Sequence, residues 1–347
     1  MSMTILPPRA VKEAFPASAE VRFFLEKSKA ALRAIAKAQD KRLLIIAGPC
    51  SIHDLRSARE YAKRYKQLAI QVQESCFLIM RAFFEKSRTQ HGWNGFLHDP
   101  YLDGSHDTGE GLLLTRELLI ALAEEEVPVC AEFLHPLTAL YCEDLITLGI
   151  IGARTCTSQI HRHLASGLSM PVGFKNSIDG NIESALHGIV TARHPQNLIT
   201  IDDEGRLCTK KTAGNQEGYL VLRGSQQAAN YDRKNLEEAM RLAGELHVPR
   251  RFIIDCAHGN SGKCTDKQMA VFRTCLSYFE EGRQEIMGMM LESSLEKGAQ
   301  VMNKEAHNLR YGVSITDPCL DWPTTAELIE EAHFAWKAAP SYAVSPF

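Results

Sequence analysis

Short apolar runs alternate with longer amphipathic stretches along this chain, and that alternation restricts the fold more than any other feature. From Arg42 onward the runs are LLIIAG (43–48), FLIMRAF (77–83), VPVCAEF (127–133), IIGART (150–155), PVGFKN (171–176), YLVLRG (219–224), RFIIDCAH (251–258) and EIMGMMLES (285–293). Most are continuously apolar, as strands buried on both faces are. Helical patterns fill the gaps, over 55–72, 111–126, 136–147, 182–191, 234–246 and 266–280. Strand then helix, repeated eight times, predicts an α/β fold of the (β/α)8 TIM-barrel class.

Two segments fall outside that repeat. Residues 1–40 form an N-terminal extension with a Pro-rich start. It contains an amphipathic helix over 19–39 whose apolar face is Val21, Phe24, Leu25, Ala31, Leu32, Ile35 and Ala36. Lys27, Lys29, Arg33 and Lys37 are read as its solvated face. The extension either covers one end of the barrel or meets another subunit. Residues 197–215 alternate on both sides of Asp-Glu-Gly, a β-hairpin signal, and are read as an insertion before the sixth barrel strand. The length of 347 residues suggests two domains on average. No linker divides the chain, however, so residues 41–347 are expected to form a single barrel domain.

Composition narrows the partners. Basic residues total 39 and acidic ones 42, a net charge of -3. That excludes the global basic field of a non-specific nucleic-acid binder. No apolar run reaches the roughly 18 residues of a spanning helix. The N-terminus carries no signal-peptide core. The ten cysteines are scattered without a CxxC pair. A cytoplasmic protein without membrane or nucleic-acid partners is expected.

Barrel active sites lie at the C-terminal ends of the strands. Six basic residues fall there or just beyond: Arg81, Lys86, Arg88, Arg154, Lys175 and Arg223. Gathered at one mouth they repel one another unless an anion compensates them. Phosphate and carboxylate groups do so, and arginine holds both bidentately. A second constellation, Cys50, His258, Glu292 and Asp317, offers a thiolate, an imidazole and two carboxylates from different strand ends. That donor set suits one divalent transition ion. Cys256 is a rival soft ligand.

These residues sit in motifs that resemble the class I 3-deoxy-D-arabino-heptulosonate 7-phosphate (DAHP) synthases. The likeness runs through LLIIAGPCSIHD (43–54), FEKSRT (84–89), GWNG (92–95), DPYLDGS (99–105), IGART (151–155), PVGFKN (171–176), LRG (222–224), IDCAHGNSGK (254–263), LES (291–293) and SITD (314–317). The resemblance implies a metal-dependent transferase that joins phosphoenolpyruvate, erythrose 4-phosphate and water. The products are DAHP and inorganic phosphate, the first step of the shikimate pathway to aromatic amino acids.

It also implies roles. Cys50, His258, Glu292 and Asp317 would hold one divalent ion: Mn, Fe, Co or Zn. Arg154 and Arg223 would clamp the phosphoenolpyruvate phosphate. Arg81 and Lys175 would hold its carboxylate and neighbouring oxygens. Lys86 would lie between the substrates, with Arg88 and Thr89 on the aldose phosphate. The catalytic set would be Lys86, Lys175, His258 and Glu132, with Glu132 orienting water and Lys86 or a water on the ion protonating the new alkoxide. A homodimer or homotetramer is expected.

The chain departs from the family at several points. Ser87 replaces a proline in the Lys-Pro-Arg-Thr turn. Cys156-Thr157 replaces Thr-Glu after Arg154-Thr155. His135, Ala139 and Leu140 stand in the region that contributes to feedback in relatives. A Schiff-base aldolase acting through Lys175 is the main rival enzyme class. Two others are an octulosonate 8-phosphate synthase using a five-carbon sugar and a metabolite-sensing barrel without turnover.

Overall fold

The computed structural model describes residues 4–302 and 308–338. Eight parallel strands close into a barrel. They are β1 (Leu43–Gly48), β2 (Cys76–Arg81), β3 (Val129–Glu132), β4 (Leu148–Ile151), β5 (Val172–Lys175), β8 (Gly218–Leu222), β9 (Phe252–Asp255) and β10 (Ile286–Glu292). Between β5 and β8 lie β6 (Asn197–Ile201) and β7 (Leu207–Lys211), a separate antiparallel pair. Each barrel strand neighbours the next in sequence, and β10 closes on β1. All eight apolar runs supply barrel strands, and the alternating segment is the hairpin.

The helices are α1 (Pro8–Ala14), α2 (Ala19–Ala36), α3 (Leu55–Val72), α4 (Thr108–Glu124), α5 (Ala139–Cys142), α6 (Gln159–Gly167), α7 (Glu183–Ala192), α8 (Arg233–Glu245), α9 (His258–Ser261), α10 (Thr265–Glu280) and α11 (Trp322–Ala338). Side-chain caps start several of them. Ser18 accepts from Val21 N at 3.2 Å, Asp54 from Arg56 N at 2.9 Å and Asp232 from Asn235 N at 3.2 Å. Each satisfies an amide that has no partner within its helix. No helix among the described residues is long and apolar enough to cross a membrane.

The barrel interior is a cluster of its own. Leu44 and Ile46 of β1, Ile79 of β2, Cys130 of β3, Leu148 and Ile150 of β4, Val221 of β8, Ile253 of β9 and Met290 of β10 pack together. Leu32, Ile35 and Ala36 of α2 belong to the same cluster. The helix of the extension therefore covers the N-terminal end of the barrel, the first of the two roles open to it. Arg33 pairs with Glu217 at 2.6 Å, and Arg251 donates to the Ile35 carbonyl at 2.6 Å. Leu32 is fully buried. Leu32→Ala is expected to cost about 2–5 kcal/mol and to lower the urea midpoint. An unchanged midpoint would show that this end needs no cover.

Two expectations need correction. The segment 136–147 is not one helix. It holds the single turn α5 and a 3-10 turn over Glu143–Leu145. Arg116 donates to the Tyr141 carbonyl at 2.9 Å and to Asp144 at 2.8 and 2.9 Å. That contact takes up a carbonyl a continuing helix would use. Lys29 is not solvated either: it is buried, with its ammonium 3.1 Å from Glu26. Its aliphatic stem packs as apolar surface while the charge finds a partner at the edge.

Candidate active site

Side chains alternate inward and outward along a barrel strand. The interior cluster fixes which parity points inward, and the polar site continues that parity. In β1 the inward series Leu44, Ile46, Gly48 leads to Cys50. Beyond Ile79 comes Arg81, beyond Cys130 comes Glu132, and beyond Gly173 comes Lys175. Val221 is followed by Arg223, Ile253 by Asp255, and Met290 by Glu292. Apolar residues fill the lower layers and charged ones form the top layer. Gly152 belongs to this layer too: a Cβ there would lie 2.1 Å from a Glu132 carboxylate oxygen.

The top layer opens into a cavity of about 500 Å³, within the usual range for small-molecule sites. All six basic residues picked out in the sequence line it, together with Thr89, Glu132, His258 and Asp317. Cys50 and Glu292 lie one contact deeper, and both are buried. Lys86 Nζ donates to Cys50 Sγ at 2.8 Å and lies 3.7 Å from Asp317. Arg81 donates to Glu292 at 3.0 Å, and its guanidinium stacks 3.7 Å from the centre of the Phe83 ring.

Ligand atoms of Cys50, Glu292 and Asp317 lie within 4.8 Å of one another. His258 Nε2 is 3.4 Å from Glu292 Oε1. The four expected ligands thus approach one another, with His258 reaching the cluster through Glu292. One sulfur, one nitrogen and carboxylate oxygens, buried and facing a polar cavity, fit a divalent transition ion. Cys256 has the opposite parity. It is buried in the layer between barrel and helices, with Sγ 3.7 Å from the Ile254 carbonyl, so it does not compete as a ligand.

The charges hold one another in place. Burial pushes the Cys50 thiol pKa up, and Glu292 adds to this against Lys86. Burial opposes ionisation of Asp317, but Lys86 and Lys263 outweigh it and hold that carboxyl well below its usual range. Burial works against the charge on Lys86, yet Cys50, Glu292 and Asp317 raise its pKa. Burial also lowers the pKa of Arg223, as does neighbouring Arg154, against Asp255.

Around the rim, Arg154 donates to Thr89 Oγ1 at 2.9 and 3.0 Å and to Ser87 Oγ at 3.2 Å. The hydroxyl of Ser87, one of the departures noted above, therefore touches an expected clamp residue. Arg88 donates to the Trp93 carbonyl at 2.8 Å, which fixes its stem beside the cavity.

Two participants had no role assigned from the sequence, although Asp255 stands at a strand end. Asp255 Oδ2 lies 2.9 Å from Lys175 Nζ and 2.9 Å from His258 Nδ1, fully buried. It orients one residue of the cation set and one of the ligand set, and its inward parity was the available signal. Lys263 bonds Asp317 at 2.8 Å and also lines the cavity. It closes the IDCAHGNSGK motif, which was its only sequence signal.

A closed parallel barrel with cations at its C-terminal mouth, above a thiol–carboxylate cluster, defines an enzyme of small anionic substrates. Comparison narrows this class. The profile of the DAHP synthetase I family matches residues 15–330, and the chain belongs to that family. It is 39% identical over 329 residues to the Tyr-sensitive phospho-2-dehydro-3-deoxyheptonate aldolase of Escherichia coli (strain K12), covering 95% of this chain and 92% of that one. It is 40% identical over 332 residues to the Trp-sensitive enzyme of Shigella flexneri, with 96% and 95% covered. The solved structure of a phospho-2-dehydro-3-deoxyheptonate aldolase from Francisella tularensis SCHU S4 superposes with a TM-score of 0.95. It is 35% identical and covers 98% of this chain and 99% of its own.

Proposed function

We propose that this barrel mouth performs the DAHP synthase reaction and that its residues divide the work by the charges they meet. Phosphoenolpyruvate and erythrose 4-phosphate condense with water to give DAHP and inorganic phosphate, the first step of aromatic amino acid biosynthesis. The observation that carries this reading is the convergence of six basic side chains from four strand ends on one cavity. Two phosphates and one carboxylate are the anions that such a cluster needs.

Arg154 and Arg223 hold the phosphoenolpyruvate phosphate. Arg81 and Lys175 hold its carboxylate and neighbouring oxygens. Stacking on Phe83 and the contact with Glu292 fix Arg81, and Asp255 fixes Lys175. Arg88 and Thr89 take the aldose phosphate. The phosphoenolpyruvate methylene forms the new carbon–carbon bond to the aldehyde carbon. Water, oriented by Glu132, adds to the cationic carbon left behind. Lys86 supplies a proton to the new alkoxide. Phosphate then leaves with cleavage of its bond to carbon as the added water's oxygen becomes the ketone; of that water's two protons, one leaves with the phosphate and one restores Lys86. Cys50, His258, Glu292 and Asp317 hold a divalent ion of the Mn, Fe, Co or Zn group, which supplies Lewis-acid polarisation of the aldehyde when bound.

The reading places the enzyme in the cytoplasm as a homodimer or homotetramer. The ten unpaired cysteines support a reducing compartment. Chelation tests the ion. Activity should fall to background after EDTA treatment and return with one of these divalent ions. EDTA-resistant turnover, with a borohydride-trapped adduct on Lys175, would establish the Schiff-base alternative instead.

A further inference from the structure

Arg223 ends its strand under an unusual constraint. Three buried asparagines from three different connections close around the Arg223–Gly224 backbone. Asn176 follows β5, Asn230 follows β8 and Asn260 lies in α9 after β9. In the barrel β8 stands between β5 and β9, so the three amides grip the end of β8 from both sides.

Each hydrogen bond falls on a specific atom. Asn176 Oδ1 accepts from Arg223 N at 2.8 Å. Asn230 Oδ1 accepts from Gly224 N at 2.8 Å. Asn176 Nδ2 donates to the Gly224 carbonyl at 2.9 Å and to the Ser177 carbonyl at 2.9 Å. The amides also bind one another. Asn230 Nδ2 donates to Asn176 Oδ1 at 3.1 Å, and Asn260 Oδ1 accepts from Asn230 N at 2.8 Å. Asn260 Nδ2 bonds the carbonyls of Leu222 at 3.1 Å and Asp255 at 2.9 Å, joining the ends of β8 and β9.

Gly224 makes the fit possible. Its φ is +70°, and a Cβ there would lie 2.6 Å from Asn260 N. None of the three amides lines the cavity, and their side-chain oxygens and nitrogens are all engaged within the protein. They hold no ligand themselves. The Arg223 guanidinium makes no ion pair among the described residues and bonds only the Gly224 carbonyl, at 3.1 Å. Its charge is left available, while its backbone is fixed by the amides.

We infer that Asn176, Asn230 and Asn260 are positioning residues that aim Arg223 at the phosphate of phosphoenolpyruvate. The inference rests on the clamp reading of Arg223 given above. A buried amide network satisfied at every atom is rigid and specifies a single arrangement, and a small misplacement of a binding group is costly in rate.

The test uses Asn230→Asp and Asn176→Asp in the full-length, metal-loaded enzyme, with Arg223→Ala as control. Each Asp variant keeps the acceptor oxygen and loses the amide donor. Both should raise KM for phosphoenolpyruvate about tenfold and leave KM for erythrose 4-phosphate within about twofold, with an unchanged circular dichroism spectrum. Unchanged KM for phosphoenolpyruvate in a folded variant, or equal rises in both constants, would overturn the inference. If one variant fails to fold, the other decides. An Arg223→Ala enzyme with normal phosphoenolpyruvate kinetics would overturn the clamp reading itself. A damaged Arg223→Ala beside normal Asp variants would overturn only the role of the amides.

Discussion

Cys50→Ala is expected to abolish turnover while leaving the barrel folded. Cys50 Sγ is the only sulfur in the ligand cluster with Glu292 and Asp317. Removing it leaves carboxylates and one imidazole, a harder donor set with weaker hold on a transition ion. Loss of an outer-shell partner alone typically costs 10–100-fold in metal affinity, so loss of a direct ligand should cost at least about that much. The fold should tolerate the change. The side chain is small, its neighbours are polar, and the apolar interior lies a layer below. Metal content measured after dialysis, the thermal midpoint and kcat together check this. Normal activity with the ion still bound would exclude Cys50 from the ligand set.

Arg223→Ala should produce the next largest effect. Its guanidinium has no carboxylate within ion-pair distance among the described residues and turns back to the Gly224 carbonyl at 3.1 Å. Burial and Arg154 disfavour its charge, against Asp255, and on the proposed reading a dianionic phosphate would be the partner that relieves it. Charge-assisted hydrogen bonds contribute about 1.5–3 kcal/mol each. Losing a bidentate pair should therefore lower kcat/KM for phosphoenolpyruvate by about 10²–10⁴-fold. Arg154→Ala should cost less, because Arg154 is spread over Thr89 and Ser87 at the exposed rim. Unchanged phosphoenolpyruvate kinetics in Arg223→Ala would remove it from the phosphate clamp.

The barrel was legible because its strands are buried on both faces and so read as unbroken apolar runs. LLIIAG coincides with β1 to the residue. The hairpin was legible for the opposite reason: it lies outside the barrel and alternates. The segment 136–147 misled because a helical periodicity says nothing of Arg116, whose side chain arrives from α4 and binds the Tyr141 carbonyl. Lys29 misled because a long stem can be buried while its charge reaches Glu26.

The cation set was legible through strand ends. Its mutual geometry was not, since that depends on barrel closure. Strand parity alone separates site residues from packing residues. Counting by twos from Ile253 selects Asp255 and rejects Cys256. Asn176 and Asn260 lie in the PVGFKN and IDCAHGNSGK motifs, but their joint grip was out of reach, because it needs Asn230 from a loop outside those motifs and depends on three separate connections.

The most direct test of the central claim is the choice of sugar phosphate. Phosphate release from phosphoenolpyruvate should be followed with erythrose 4-phosphate and with a five-carbon aldose phosphate, each with and without EDTA. Rapid, EDTA-sensitive release with the four-carbon sugar and little with the five-carbon one is the predicted result. Preference for the five-carbon sugar, or no release with either in metal-loaded protein, would contradict the account.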